Sequence, residues 1–197
     1  CIRDSGRGAG FAHSAGLANI FLGCYVGGCN KGGNQNVLLS RKAGYRNETG
    51  NDNVMIGDCA GYGDSGSGGT NQNDNVFIGK YAGYLNRGDH NIAIGLRAGE
   101  KIQTGCCNIF LGPQAGRCAS TGCNNFGAGY NVMNLANLTG SNNIAIGHYT
   151  GRRIATGQGN VFLGAGAGRY VLGGCCNVAI GINAHYCLGG GNCNVAI

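Results

Sequence analysis

The chain has 197 residues, among them 42 glycines, 12 cysteines, one proline and no tryptophan; 11% of residues are charged and the formal net charge is +6. Collagen is excluded because glycine does not recur at every third position and Pro113 stands alone. With 43% hydrophobic residues and Val, Ile and Leu returning in register, a disordered low-complexity chain is excluded as well.

In chain order, Ile2 to Phe11 reads as a degenerate first unit, with Gly6 closing a strand and Ala9-Gly10 at a corner. Its pattern is repeated, more clearly, in the units after it. One phrase returns eleven times: Asn, then Val or Ile, any residue, Ile or Leu, then Gly. The opening residues are Asn19, Asn36, Asn53, Asn75, Asn91, Asn108, Asn125, Asn143, Asn160, Asn177 and Asn194, and seven of the ten intervals are 17 residues. A fixed period of this size marks a stack of like supersecondary units. The expected fold is therefore all-β: a parallel β-solenoid or β-roll of 11–12 coils, in which residues 1–197 form a single repetitive segment of a longer fibrous protein. The chain opens on Cys1 and closes on Ile197 in mid-phrase, so both ends are expected to be cuts in that longer protein.

With Asn numbered 0, positions +1 and +3 are branched and apolar in nearly every unit, from Ile20 and Leu22 to Val195 and Ile197. Alternation places them on one face of a short strand, expected to be the core. Gly closes the strand at +4, with Ser40 the departure, and Ala-Gly follows at +7 and +8, as in Ala43-Gly44 and Ala115-Gly116. Small residues there allow a tight corner. The Asn column predicts a ladder of amides bonded from coil to coil; the alternative is that Asn only favours the turn before each strand. Position +2 shares the Asn face, yet reads Phe21, Leu38, Met55, Phe77, Ala93, Phe110, Gly127, Ala145, Phe162, Ala179 and Ala196. A column without a charge or hydroxyl must be covered, either by another copy of the chain or by a second internal layer of a wide solenoid. The unit at Asn125 is expected to mark a local irregularity.

Units such as Thr139-Gly-Ser-Asn-Asn-Ile-Ala-Ile-Gly147 and Gly159-Asn-Val-Phe-Leu-Gly-Ala-Gly-Ala-Gly168 resemble the head repeats of trimeric autotransporter adhesins. They resemble equally the repeats of bacteriophage tail fibres, and Gly105-Cys-Cys-Asn-Ile-Phe-Leu-Gly112 is similar to the cysteine-rich fibres of cyanophages. The resemblance implies an elongated homotrimer or filament with coils around a shared axis, in a virion tail fibre or an extracellular surface appendage. The period exceeds that of the adhesin heads, and the Ser that commonly follows Asn there is absent.

The twelve cysteines form no Cys-x-x-Cys. Cys106 and Cys123 share position −2 in adjacent coils, and Cys176 and Cys193 share position −1, within disulfide reach across stacked strands. These four are candidate disulfide partners; the alternative is a small apolar filler. Arg117, Arg152 and Arg169 share position +9, where Tyr45, Tyr62 and Tyr84 stand earlier. These six are candidate glycan-binding residues, suited to an anionic cell-surface polysaccharide; solvated corners are the alternative. Five cations follow Glu100 and no carboxylate does. Nucleic acid is not expected as a partner, since no binding motif is present and the cations are sparse. Membrane insertion is not expected, because no apolar run approaches the roughly 20 residues of a spanning helix. Asp64, Asn71, Asn73 and Asp74 are oxygen donors of the kind calcium takes, but their spacing matches neither an EF-hand nor the calcium-binding nonapeptide repeat, and a flexible loop is expected there. Asn47-Glu-Thr49 and Asn137-Leu-Thr139 are glycosylation sequons.

The four histidines occupy unrelated positions, and carboxylates are too few for an acid–base pair on one coil. No catalysis, metal or cofactor is expected. The favoured reading is a structural fibre segment, serving as shaft and host-adhesive surface; the alternative is a carbohydrate-binding adhesin module that uses the Tyr and Arg columns.

Overall fold

The computed structural model describes residues 3–63, 71–135, 137–187 and 189–197. Among them twelve short strands lie in one parallel sheet in sequence order: β1 (Arg3–Ser5), β2 (Ile20–Leu22), β3 (Val37–Leu39), β4 (Val54–Ile56), β5 (Val76–Ile78), β6 (Ile92–Ile94), β7 (Ile109–Leu111), β8 (Phe126–Ala128), β9 (Ile144–Ile146), β10 (Val161–Leu163), β11 (Val178–Ile180) and β12 (Val195–Ala196). From β2 onward each strand begins at position +1, and each residue pairs with its equivalent one unit on, as in Ile20↔Val37 and Ile109↔Phe126. The chain is a parallel β-solenoid with one coil per repeat. The unit of 22 residues keeps the register, Val54↔Val76, and so does the degenerate first unit, Arg3↔Ile20.

The strand faces are reversed from the expectation. Position +2 points into the coil: Phe21, Leu38, Met55, Phe77, Ala93, Phe110, Ala145, Phe162 and Ala179 are fully buried. Positions +1 and +3 point outward; Ile144 and Ile146 are 40% and 42% exposed. The reason lies in the width of the coil. Each strand contributes only Asn and the +2 side chain to the lumen, and the +7 residue, usually Ala, closes it from the other side: Ala43, Ala60, Ala82, Ala98, Ala115 and Ala167 are all fully buried. From β5 onward this narrow channel sets small residues against large ones: Phe77 is stacked on Ala93, Phe110 on Gly127, and Phe162 between Ala145 and Ala179, which fills the space without overpacking; in the earlier coils Phe21, Leu38, Met55 and Phe77 follow one another. At Gly127 an added Cβ would stand 3.1 Å from the Phe110 ring.

Asn at position 0 is buried in every unit from Asn19 to Asn177 and forms a ladder. Oδ1 of Asn91 accepts both the backbone N–H (3.0 Å) and Nδ2–H (3.1 Å) of Asn108, whose Nδ2 also donates to the Gly122 carbonyl at 2.9 Å. The pattern continues to Asn194, which donates to Asn177 Oδ1. A buried amide left unpaired costs about 1–3 kcal/mol, so only an unbroken column makes such burial stable. The turn preference operates alongside it. The residue before each Asn lies in the left-handed region, including Gln35, Asp52, His90, Cys107 and Cys176. At +4 glycine is demanded twice over: Gly57 has φ 133°, and an added Cβ would meet the Gly79 carbonyl at 2.7 Å. The Asn125 unit departs from the pattern inside the lumen, where Val132 and the buried Met133 replace the Ala-Gly corner.

Candidate functional site

The outward sheet face is apolar. Its two columns of branched side chains run the length of the sheet; Ile20, Leu22, Ile94, Ile144, Ile146, Ile180 and Val195 are exposed, and their neighbours in the same columns are half-buried. At about 4.8 Å per coil the stripe is about 50 Å long. Phe77 and Phe110, at the column expected to form the interface, lie in the lumen instead.

The turn columns carry the polar chemistry. Tyr45 and Tyr62 are stacked at 5.3 Å and 11°, and Tyr62 and Tyr84 at 5.1 Å and 24°. Tyr45 lies over Gly28, where a Cβ would stand 2.5 Å from its ring, and Tyr81 meets Tyr84 edge-on at 5.3 Å. These rings spend their faces on one another and offer a ligand their rims. Burial is the first cause that raises the Tyr84 pKa, and Cys29 is the first for Tyr45. Arg117 is also engaged: its Nε lies 2.6 Å from Glu100, and that hydrogen bond raises its pKa.

Arg152 and Arg169 behave differently. Their guanidinium carbons stand 4.7 and 4.8 Å from the centre of the same ring, Tyr149. Arg169 is also 5.4 Å from Tyr170 and 5.5 Å from Tyr186, and Arg153 is 5.7 Å from Tyr170. Nε of both Arg152 and Arg169 is buried without an acceptor. Tyr149, Tyr170 and Tyr186 were not legible as partners of the Arg column, because they come from positions +6, +10 and +9 of three consecutive coils. Only the shared ring brings them together.

Cys106 and Cys123 meet across adjacent coils with their sulfurs 2.8 Å apart, and the Cys106 backbone N–H donates to Cys123 Sγ at 3.1 Å. Both are free thiols, and that contact is the first of the causes that push the Cys106 pKa up to about 12. They occupy a column used elsewhere by amides, as where Asn34 N–H donates to Asn51 Oδ1 at 2.9 Å. Cys176 and Cys193 are exposed and unbridged. Among the described residues, no three His, Cys, Asp or Glu side chains gather as a metal site requires. Asp64 lies outside the described residues, and Asn73 is bonded to Asn51 and Asp89. Of the two sequons, Asn47 is fully buried, so modification is closed to it in the folded chain; Asn137 is exposed.

A second amide column was missed at the level of sequence. Asn30, Asn47 and Asn86 at position +11, with Gln72, are fully buried along the far corner. Asn30 Nδ2 donates to the Asn47 carbonyl at 3.1 Å, and Asn86 Nδ2 donates to Gln72 Oε1 at 3.3 Å. The signal was there in the recurrence of Asn at +11. Gln72 hid it, since it joins the column from outside the numbering. Compared with protein-family models, curated proteins and solved structures, the chain matches none.

Proposed function

We propose that this chain is a structural, non-enzymatic segment of a fibre, a viral tail fibre or similar extracellular appendage, built as a homotrimer through the outward sheet faces. The observation that carries this reading is the continuous apolar stripe of the +1 and +3 columns. Lone soluble proteins seldom expose contiguous apolar patches beyond a few hundred Å². A partner for this one must present apolar side chains at the same coil spacing over the same length, and a parallel copy of the chain does so by construction. Each face is only two outward side chains wide, so three of them can close around one axis. The likeness of the repeat phrase to tail-fibre and adhesin-head repeats supports the same assembly.

Light scattering tests it. The expected mass is three times the 20.0 kDa of the chain. Replacement of Ile94, Ile144 and Ile146 by Lys is expected to give monomers that keep the β-sheet circular dichroism signal. A wild-type chain that stays monomeric at micromolar concentration would overturn the proposal.

A further inference from the structure

The arginine–tyrosine cluster of the last coils differs from the charged groups of the earlier ones. Arg152 and Arg169 bring two positive charges onto one ring, Tyr149, with Arg153 beside them on Tyr170. Like charges so close repel unless an anion lies between them. The chain supplies none there, because its last carboxylate is Glu100, and that residue already holds Arg117. Cations of the earlier coils have carboxylates near them: Arg41 meets Asp58 at 2.9 Å, Lys31 meets Glu48 at 2.9 Å, and Lys80, which shares the Tyr81 ring with Arg97 at 5.4 and 5.5 Å, lies near enough to Asp58 to help lower its pKa.

We infer that Arg152, Arg153 and Arg169, seated on Tyr149, Tyr170 and Tyr186, form a binding site for an acidic polysaccharide. A guanidinium stacked on a ring keeps its plane fixed, and its remaining N–H groups form a fork that matches a carboxylate or sulfate. Arg152 and Arg169 hold the same position on adjacent coils, so their forks repeat at about 4.8 Å. That step is close to the length of one sugar ring, so a glycan with an acid group on each sugar can meet both. Tyrosine hydroxyls at the rim suit the sugar hydroxyls. Single-stranded nucleic acid fits less well, because it needs open aromatic faces for its bases, and here the guanidiniums cover them. The site does not depend on the trimer, since its residues lie in the turns and not on the sheet face.

The test uses the full chain and polygalacturonate, with neutral dextran and an oligodeoxynucleotide of matched charge as comparisons, in titration calorimetry at low salt. Changing the three arginines to Gln is expected to weaken polygalacturonate binding at least about tenfold. The triple change to Lys, which keeps the charge and removes the planar fork, is expected to weaken it too. A control that removes the same charge elsewhere, Arg7→Gln, Lys31→Gln and Arg41→Gln, is expected to change it less than about twofold. Equal losses in the two Gln variants would reduce the effect to net charge and overturn the site. So would tighter binding of the oligonucleotide, or no binding of polygalacturonate at all. Thermal melts of each variant separate these outcomes from misfolding.

Discussion

The coils before Glu100 and those after it share one backbone path and differ in what fills it. In the earlier coils the far corner is lined by Asn30, Asn47, Gln72 and Asn86; in the later ones it is lined by Ile102, Ala119, Leu138, Ile154 and Val171. The outer surface changes at the same point: the eight carboxylates all precede Lys101, so the arginines beyond Arg117 rest on tyrosine rings, as Arg97 does on Tyr81, but in coils that carry no carboxylate. The coil is thus indifferent to the chemistry of its corner provided that each column is internally complete. Amides work where the neighbouring coil offers amides or carbonyls, and alkyl groups work where it offers alkyl groups.

Mixing the two chemistries should therefore be costly, and unequally so. Ile154→Asn sets an amide between the buried Leu138 and Val171 and should cost about 3–5 kcal/mol in urea unfolding, from lost packing and an unpaired polar group. The reverse change, Asn47→Leu, strands the Gln72 N–H that donates to Asn47 Oδ1, while the Gly50 carbonyl keeps its donor in Asn36 Nδ2, at about 1–3 kcal/mol. Equal and small losses would show that the columns are not cooperative units.

The next effect in size belongs to the later coils alone. Oxidised glutathione should join Cys106 to Cys123 by exchange: the two thiols give up two protons and two electrons, and the glutathione disulfide leaves as two thiols. Closing a loop of this length stabilises by about 3 kcal/mol, read as a shifted urea midpoint with a Cys106–Cys123 peptide in the digest. The matching column earlier holds Asn34 and Asn51, which cannot respond. In the reduced chain, Cys106 has its pKa raised from 9.0 to about 12. The thiol contact thus stabilises fully below pH 9, where Cys106 is protonated in the folded and the unfolded chain alike; above pH 9 the unfolded chain ionises first, and folding loses stability as pH climbs towards about 12. A pH-independent midpoint across that window would contradict it.

The smallest effect tests the boundary itself. Glu100→Gln removes the carboxylate from Arg117 and should cost less than about 1 kcal/mol, since the pair is partly solvated. The same change adds an unpaired cation to the later coils, so polygalacturonate should bind more tightly. Weaker binding would detach Arg117 from the arginine cluster.

Period, strand positions, closing glycines and the Asn ladder were all legible in the sequence, because each rests on identity at a fixed spacing. Which face turns inward was not. Positions +1, +2 and +3 are all apolar in most units, so the strand shows no contrast between its faces and the period-2 rule has nothing to act on. The clue was volume, and only the later coils give it: Phe110 followed by Gly127, and Phe162 between two alanines, mark a filled channel, while Phe21, Leu38, Met55 and Phe77 show no more compensation than the +1 column does. The tyrosine partners of Arg152 and Arg169 stayed hidden for a different reason. They depend on how turns from three coils lean together, and no single column of the repeat encodes that.

The register from Val54 to Val76 holds although that unit carries five residues more than the usual repeat of 17. Length at that corner is thus decoupled from the wall on either side. Evolution, or an engineer, can change the cargo there without rewriting the scaffold, and in a threefold assembly each such graft would be displayed in triplicate.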